Sequence, residues 1–119
     1  RRTDYITKAA FHPPCGMEYY EKALNMIDGK VLIFSDDLDW CKETFLGDRF
    51  TFISGNRDYQ DLFLMSMCKN NIIANSSFSW WGAWLNANPD KKVIAPKQWF
   101  GHQLSISSND ICPNTWETI

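Results

Sequence analysis

The sequence predicts an α/β domain built on a parallel sheet. Two observations carry this. Short apolar runs rich in β-formers recur along the chain with almost no alternation, as strands buried on both faces of a parallel sheet require. Between them lie segments whose apolar residues recur at helical spacing. Strand and helix alternating at this pitch is the pattern of βαβ units, so a Rossmann-like sheet is the fold expected.

The elements follow in order. Tyr20, Leu24 and Ile27 recur at i, i+4 and i+7 ahead of Gly29, a residue suited to the left-handed end of a helix. Lys30 to Ser35 (KVLIFS) is the first strand. Leu38, Cys41 and Phe45 mark a helix ahead of Gly47, and Thr51 to Ile53 a second, weaker strand. Tyr59, Leu62, Phe63 and Met67 mark the next helix, with Asp58 as its N-cap. Asn71 to Ala74 is a third strand. Trp80, Trp81, Trp84 and Leu85 form a helix stopped by Asn88-Pro89, and Val93 to Ala95 is a fourth strand. Beyond Pro96 the pattern fades, and Trp99, Phe100, Ile106, Ile111 and Trp116 are expected to pack as a C-terminal cover.

Composition narrows the class. At 119 residues the chain allows one domain, residues 1–119. A hydrophobic content of 45%, with 15% aromatic residues, excludes a disordered tail. The formal charge of −2 leaves no broad basic face, so nucleic acid is not an expected partner. No apolar run approaches the roughly 20 residues of a spanning helix. Cys15, Cys41, Cys68 and Cys112 are widely spaced, without a Cys-x-x-Cys pair or a histidine at zinc spacing. Reduced, partly buried thiols are expected. The chain opens on Arg1-Arg2-Thr3-Asp4 without an initiator methionine, which reads as a piece of a longer protein.

In parallel α/β sheets ligands bind beyond the carboxyl ends of the strands. That rule selects Arg1 to Asp4, Ser35 to Asp39, Ser54 to Asp61 and Asn75 to Ser79. Asn75-Ser76-Ser77-Phe78-Ser79 joins a strand to the Trp-rich helix. Small hydroxyl residues there offer N–H and Oγ donors to one point, and the helix dipole adds partial positive charge, so phosphate is the natural ligand. Plain N-capping by one serine is the competing role. Arg1 and Arg2 form a pair whose forks match phosphate oxygens, against the alternative of a solvated terminus. Asp37-Leu38-Asp39 spells D-x-D, a pattern that can hold a divalent metal on a nucleotide-sugar, or simply an acidic first helical turn. Asp61, one turn after Asp58, can accept hydrogen bonds from a base or ribose. Trp80, Trp81 and Trp84 are read as a core-facing buttress behind the serine turn rather than a sugar platform. Asn75-Ser76-Ser77 also spells an N-glycosylation sequon, taken as accidental because a glycan would block the turn.

Together, "RRTDY", "IFSDDLDWCKE", "DLFLMSMCKNNIIANSSFSWWGAWLN" and "VIAPKQWF" resemble, in order and spacing, the C-terminal half of the α-1,2-fucosyltransferases of glycosyltransferase family 11. The resemblance implies the nucleotide-binding, C-terminal domain of a GT-B enzyme. An N-terminal acceptor-side domain and the first strand of the sheet would precede Arg1. It implies GDP-β-L-fucose as donor and a galactose-terminated glycan as acceptor. Transfer to the 2-hydroxyl would invert the anomeric centre without a metal or other cofactor. Arg1 and Arg2 match the arginines of the family's H-x-R-R-x-D motif and Asp4 its aspartate, which gives Arg1 and Asp4 catalytic roles. Ser76, Ser77, Phe78 and Ser79, with Asn75, match the phosphate-binding turn, and Asp61 falls where relatives contact the nucleoside. Asp4 is either the base for the acceptor hydroxyl or the residue that holds the arginines.

Overall fold

The computed structural model describes residues 2–119. Its elements are α1 (Thr3–Thr7), α2 (Met17–Asn25), β1 (Val31–Ile33), α3 (Leu38–Thr44), β2 (Phe50–Phe52), α4 (Asp58–Ser66), β3 (Asn71–Ile72), α5 (Ser77–Trp84), β4 (Val93–Ala95) and β5 (Glu117–Thr118). The α/β alternation expected from the apolar runs is present, and every strand pair is parallel. The strands form two sheets, however. β1 pairs with β2, and β3, β4 and β5 form a separate set in that order. A cavity of about 590 Å³ lies between the β1 and β3 edges, lined by both strands.

The core sits around β4. Val93, Ile94 and Ala95 are all buried, which fits a strand covered on both faces. Ile73, Ala83, Trp99 and Trp116 complete the cluster, with Trp80, Phe100, Ile111 and Cys112 packed against it. The C-terminal cover therefore forms as expected, with one correction: Ile106 is 56% exposed. It lies in an irregular stretch between serines, where no helix or strand aims its side chain inward. The last residues form β5, a strand of polar residues that joins β4 through its backbone.

The tryptophan buttress also needs correction. Trp80 faces the core, donating its indole N–H to the Ile111 carbonyl at 2.8 Å and meeting Trp116 at 5.4 Å between ring centroids. Trp81 and Trp84 are 50% and 51% exposed. The buried face of α5 is carried by Gly82 and Ala83, and these small residues let the helix pack on α4. The bulky rings at 81 and 84 are left at the surface.

Helix ends are set by specific contacts. Gly29, at φ +95°, turns the chain out of α2 towards β1. The Arg49 guanidinium donates to the carbonyls of Leu24, Ile27 and Gly29 at 3.2, 2.6 and 3.0 Å, placing a cation at the negative end of α2. At α4 the N-cap is Arg57 rather than Asp58, which is the first helical residue. The Gln60 side chain accepts from the Arg57 N–H at 2.8 Å and closes that end. All four cysteines are free, and burial pushes their thiols above the ordinary value.

The α4–α5 contact gives a direct test. A Cβ at position 82 would stand 2.8 Å from Met65 Sδ and 2.9 Å from its Cβ. Gly82→Val is therefore expected to lower stability by about 1–3 kcal/mol, the usual cost of overpacking, read as a lower Tm in thermal denaturation.

Candidate functional site

Two groups of predicted residues come together at the carboxyl ends of β1 and β3. The first is built on Arg2. Its backbone N–H donates to Asp36 Oδ1 at 2.7 Å, and the Thr3 hydroxyl donates to Asp36 Oδ2 at 2.9 Å. One carboxylate thus fixes the start of α1 against the end of β1. The Arg2 guanidinium lies over the Trp40 ring, 3.8 Å from its centroid, a cation–π contact. Its Nε stands 3.4 Å from Asp37 Oδ2, an ionic contact in which the buried N–H finds no hydrogen-bond acceptor. Asp37 Oδ1 accepts from the Trp40 N–H at 3.3 Å and so caps α3.

This arrangement gives the acidic run a role that the D-x-D spelling did not suggest. Asp36 orders the Arg2–Thr3 backbone, Asp37 caps a helix beside the arginine, and Asp39 lies in the first turn of α3. Among the described residues, no group of three or more His, Cys, Asp or Glu side chains is placed to hold a metal. Burial acts to raise the Asp36 pKa, but the hydrogen bonds from Arg2 and Thr3 outweigh it and hold the carboxyl below its ordinary value. Trp40 and Asp36 are the residues that the sequence did not reveal as partners of the arginine. Their separation along the chain gives no signal; only folding brings them together.

The second group is the serine turn. Ser76 is the N-cap residue of α5, yet its side chain makes no capping bond. The competing explanation of the serines as a plain cap therefore fails. The Ser79 hydroxyl turns back to the carbonyls of Ala74 and Ser76 at 3.2 and 3.0 Å, tightening the turn. The first backbone acceptor inside the helix, Ser76 O, is used by the Trp80 N–H at 2.9 Å. The N–H groups of Ser77, Phe78 and Ser79 precede that bond, so they point out of the helix end without an intrahelical partner. Ser77 is exposed and Ser76 buried.

Asn75 is a structural anchor. It is 3% exposed, and its amide donates to the carbonyls of Pro13 and Trp99 at 2.9 and 3.1 Å. Its own carbonyl accepts the Tyr5 hydroxyl at 3.1 Å, which ties α1 to the turn. Both amide hydrogens are engaged inside the protein, so the sequon presents no free acceptor nitrogen. Asp4 sits in the first turn of α1. Arg1 lies outside the described residues. Asp61 stands apart from the two groups, in the first turn of α4, where it accepts from the Asn56 amide at 3.0 Å. Arg2 and Ser79 both line the cavity between β1 and β3, so the two groups flank one opening.

The structure is a parallel α/β domain with an arginine and an open helix N-terminus at its strand ends, features that favour anions in general. The whole sequence, residues 1–119, matches the family described as Glycosyl transferase family 11, and the chain belongs to that family. It is 46% identical to the O-antigen biosynthesis glycosyltransferase WbnK of Escherichia coli, over 84% of this chain and 37% of that protein. It is 39% identical to an alpha-1,2-colitosyltransferase of Escherichia coli, over 100% of this chain and 45% of that protein. The chain thus spans less than half the length of these curated relatives. No solved structure matches it.

Two outcomes test the anchoring contacts. Asn75→Ala leaves the buried Trp99 carbonyl and the part-buried Pro13 carbonyl without this donor, at about 1–3 kcal/mol for a buried group left unsatisfied, so the variant should melt earlier in a thermal scan. The depressed Asp36 pKa means that its contribution is complete above the ordinary carboxyl value of about 3.9 and is lost as pH falls through the folded value. Acid titration of the wild type should show stability falling from that point downward, and Asp36→Asn should flatten the fall.

Proposed function

We propose that this chain is the donor-binding domain of an inverting α-1,2-fucosyltransferase of GT-B architecture. The donor is GDP-β-L-fucose and the acceptor the 2-hydroxyl of a terminal galactose. The observation that carries the reading is the uncapped N-terminus of α5, with its outward amides at 77–79, across the cavity mouth from Arg2. The family and the α-1,2 linkage in the name of one relative support it.

The chemistry follows from the charge. The acceptor oxygen bonds to the anomeric carbon as the bond from that carbon to the β-phosphate oxygen breaks. GDP leaves with the electron pair, and the acceptor loses its proton. Negative charge grows on the diphosphate while the sugar takes on oxocarbenium character. Preorganised donors aimed at that charge lower the barrier. Arg1 and Arg2 supply charged forks, and Ser76, Ser77, Phe78 and Ser79 supply backbone and hydroxyl donors on a turn fixed by Asn75. With both anchors in place a divalent metal is dispensable. Asp61 takes the nucleoside. Asp4 either receives the acceptor proton or holds the arginine pair; Asp4→Asn separates these, because only loss of a base removes the ionisation from the pH–rate profile. The chain covers 37% and 45% of its relatives; on this reading the acceptor site lies largely in the part it does not cover, and the isolated 119 residues should transfer fucose poorly.

Titration of GDP and UDP into the full gene product, with and without EDTA, tests this. GDP should bind and UDP should not, EDTA should change nothing, and Arg2→Ala should weaken binding and lower kcat by about 10²–10³. Equal binding of UDP, or activity abolished by EDTA, would contradict it. The colitosyltransferase relative favours a second reading, a donor carrying colitose in place of fucose. The ratio of kcat/KM for the two donors decides between them.

A further inference from the structure

The cavity between the two sheets has the form of an unfilled strand position. In β1 the Val31 N–H donates to Arg49 O at 2.8 Å and Ile33 O accepts from the Ile53 N–H at 2.9 Å, so both residues face β2. Parallel pairing alternates, and the N–H and C=O of Leu32 therefore face the opposite way, into the cavity. In β3 the Asn71 and Ile73 N–H groups donate to Lys92 O and Ile94 O at 3.0 and 2.9 Å, which leaves Ile72 facing the cavity from the other side. Two strand edges thus face each other without joining, and the exits of both strands meet α1, that of β1 through Asp36 and that of β3 through Asn75. Tyr20 and Leu24 of α2, and Met65 of α4, line the same space. Apolar residues of both strands line it, and charged residues such as Arg2, Asp28, Lys30 and Lys69 also stand in its lining.

We infer that a further β-strand of this protein's own polypeptide, N-terminal to Arg1, fills the cavity parallel to β1 and β3. It would pair with Leu32 on one side and Ile72 on the other, leaving about 4.8 Å between neighbouring strands. Its carboxyl end would deliver the chain to Arg2, which lies at that end of the cavity and is held there by Asp36. The relatives provide the length, since this chain covers 37% and 45% of theirs. The complete order becomes β2, β1, the new strand, β3, β4, β5, a doubly wound sheet that reverses direction between the new strand and β3. The helices agree. Tyr20 of α2 meets Phe45, the residue that closes α3, at 5.8 Å, while α4 packs on α5, so the helices pair on either side of the reversal. Arg2 and the serine turn then flank the crevice where such a sheet binds ligands. The strand has to be a run of apolar β-formers, because it is covered on both faces.

This inference is independent of which nucleotide-sugar is bound. Amide hydrogen exchange on the full gene product tests it, with residues 1–119 compared. The Leu32 and Ile72 amides should exchange about 10³-fold or more slowly in the full product than in the shorter chain. The Ile73 amide, bonded within the sheet, reports whether β3 is folded in each. Fast exchange at Leu32 and Ile72 in a full product whose Ile73 is protected would overturn the proposal. So would protection in residues 1–119 that rises with protein concentration, which means a second copy, or protection that appears only when GDP is added, which means a ligand pocket.

Discussion

The buried side chain of Asn75 holds this structure together at the point where its function would lie. One amide bridges the Pro13 carbonyl and the Trp99 carbonyl, and the backbone of the same residue receives Tyr5. Four stretches meet there: α1 and the loop before α2 from the start of the chain, the exit of β3 and the C-terminal cover. Each contact satisfies a group that would otherwise be buried without a partner. The turn that follows is therefore rigid before any ligand arrives, which is the condition under which backbone donors act strongly on developing charge.

Rigidity on one side is matched by order on the other. Arg2 carries a flexible side chain, and free it would lose much of its advantage to entropy. Asp36 fixes its backbone, Trp40 supports the guanidinium face, and Asp37 stands beside its Nε. Of the acidic run, Asp36 and Asp37 lie against Arg2 and order it, while Asp39 stays in the first turn of α3. Such a cation and an open helix N-terminus offer charge and direction together, the combination that a departing diphosphate requires.

The parts of the fold set by burial were legible in the sequence. The strands form where KVLIFS, NIIA and VIA stand, but only VIA, in β4, is covered on both faces; β1 and β3 are part-covered, with Leu32 41% exposed. What depends on backbone pairing was not legible. β5 is Glu117-Thr118, polar residues that extend β4 through the backbone, and α1 is a short helix whose position depends on the contacts of Asp36 and Asn75. Helical spacing placed Trp80, Trp81 and Trp84 together, but Gly82 and Ala83 decide which face approaches α4. The serine turn was found from residue type and place. The Arg2–Trp40 stack depends on a separation in sequence that no periodicity encodes.

The most direct test of the account is the structure of the full gene product bound to GDP. The account predicts the diphosphate within hydrogen-bond distance of the amides of Ser77, Phe78 and Ser79, facing the Arg2 guanidinium, with no metal between. A diphosphate held through a divalent ion on Asp37 and Asp39, with the α5 N-terminus bound only to water, would contradict it.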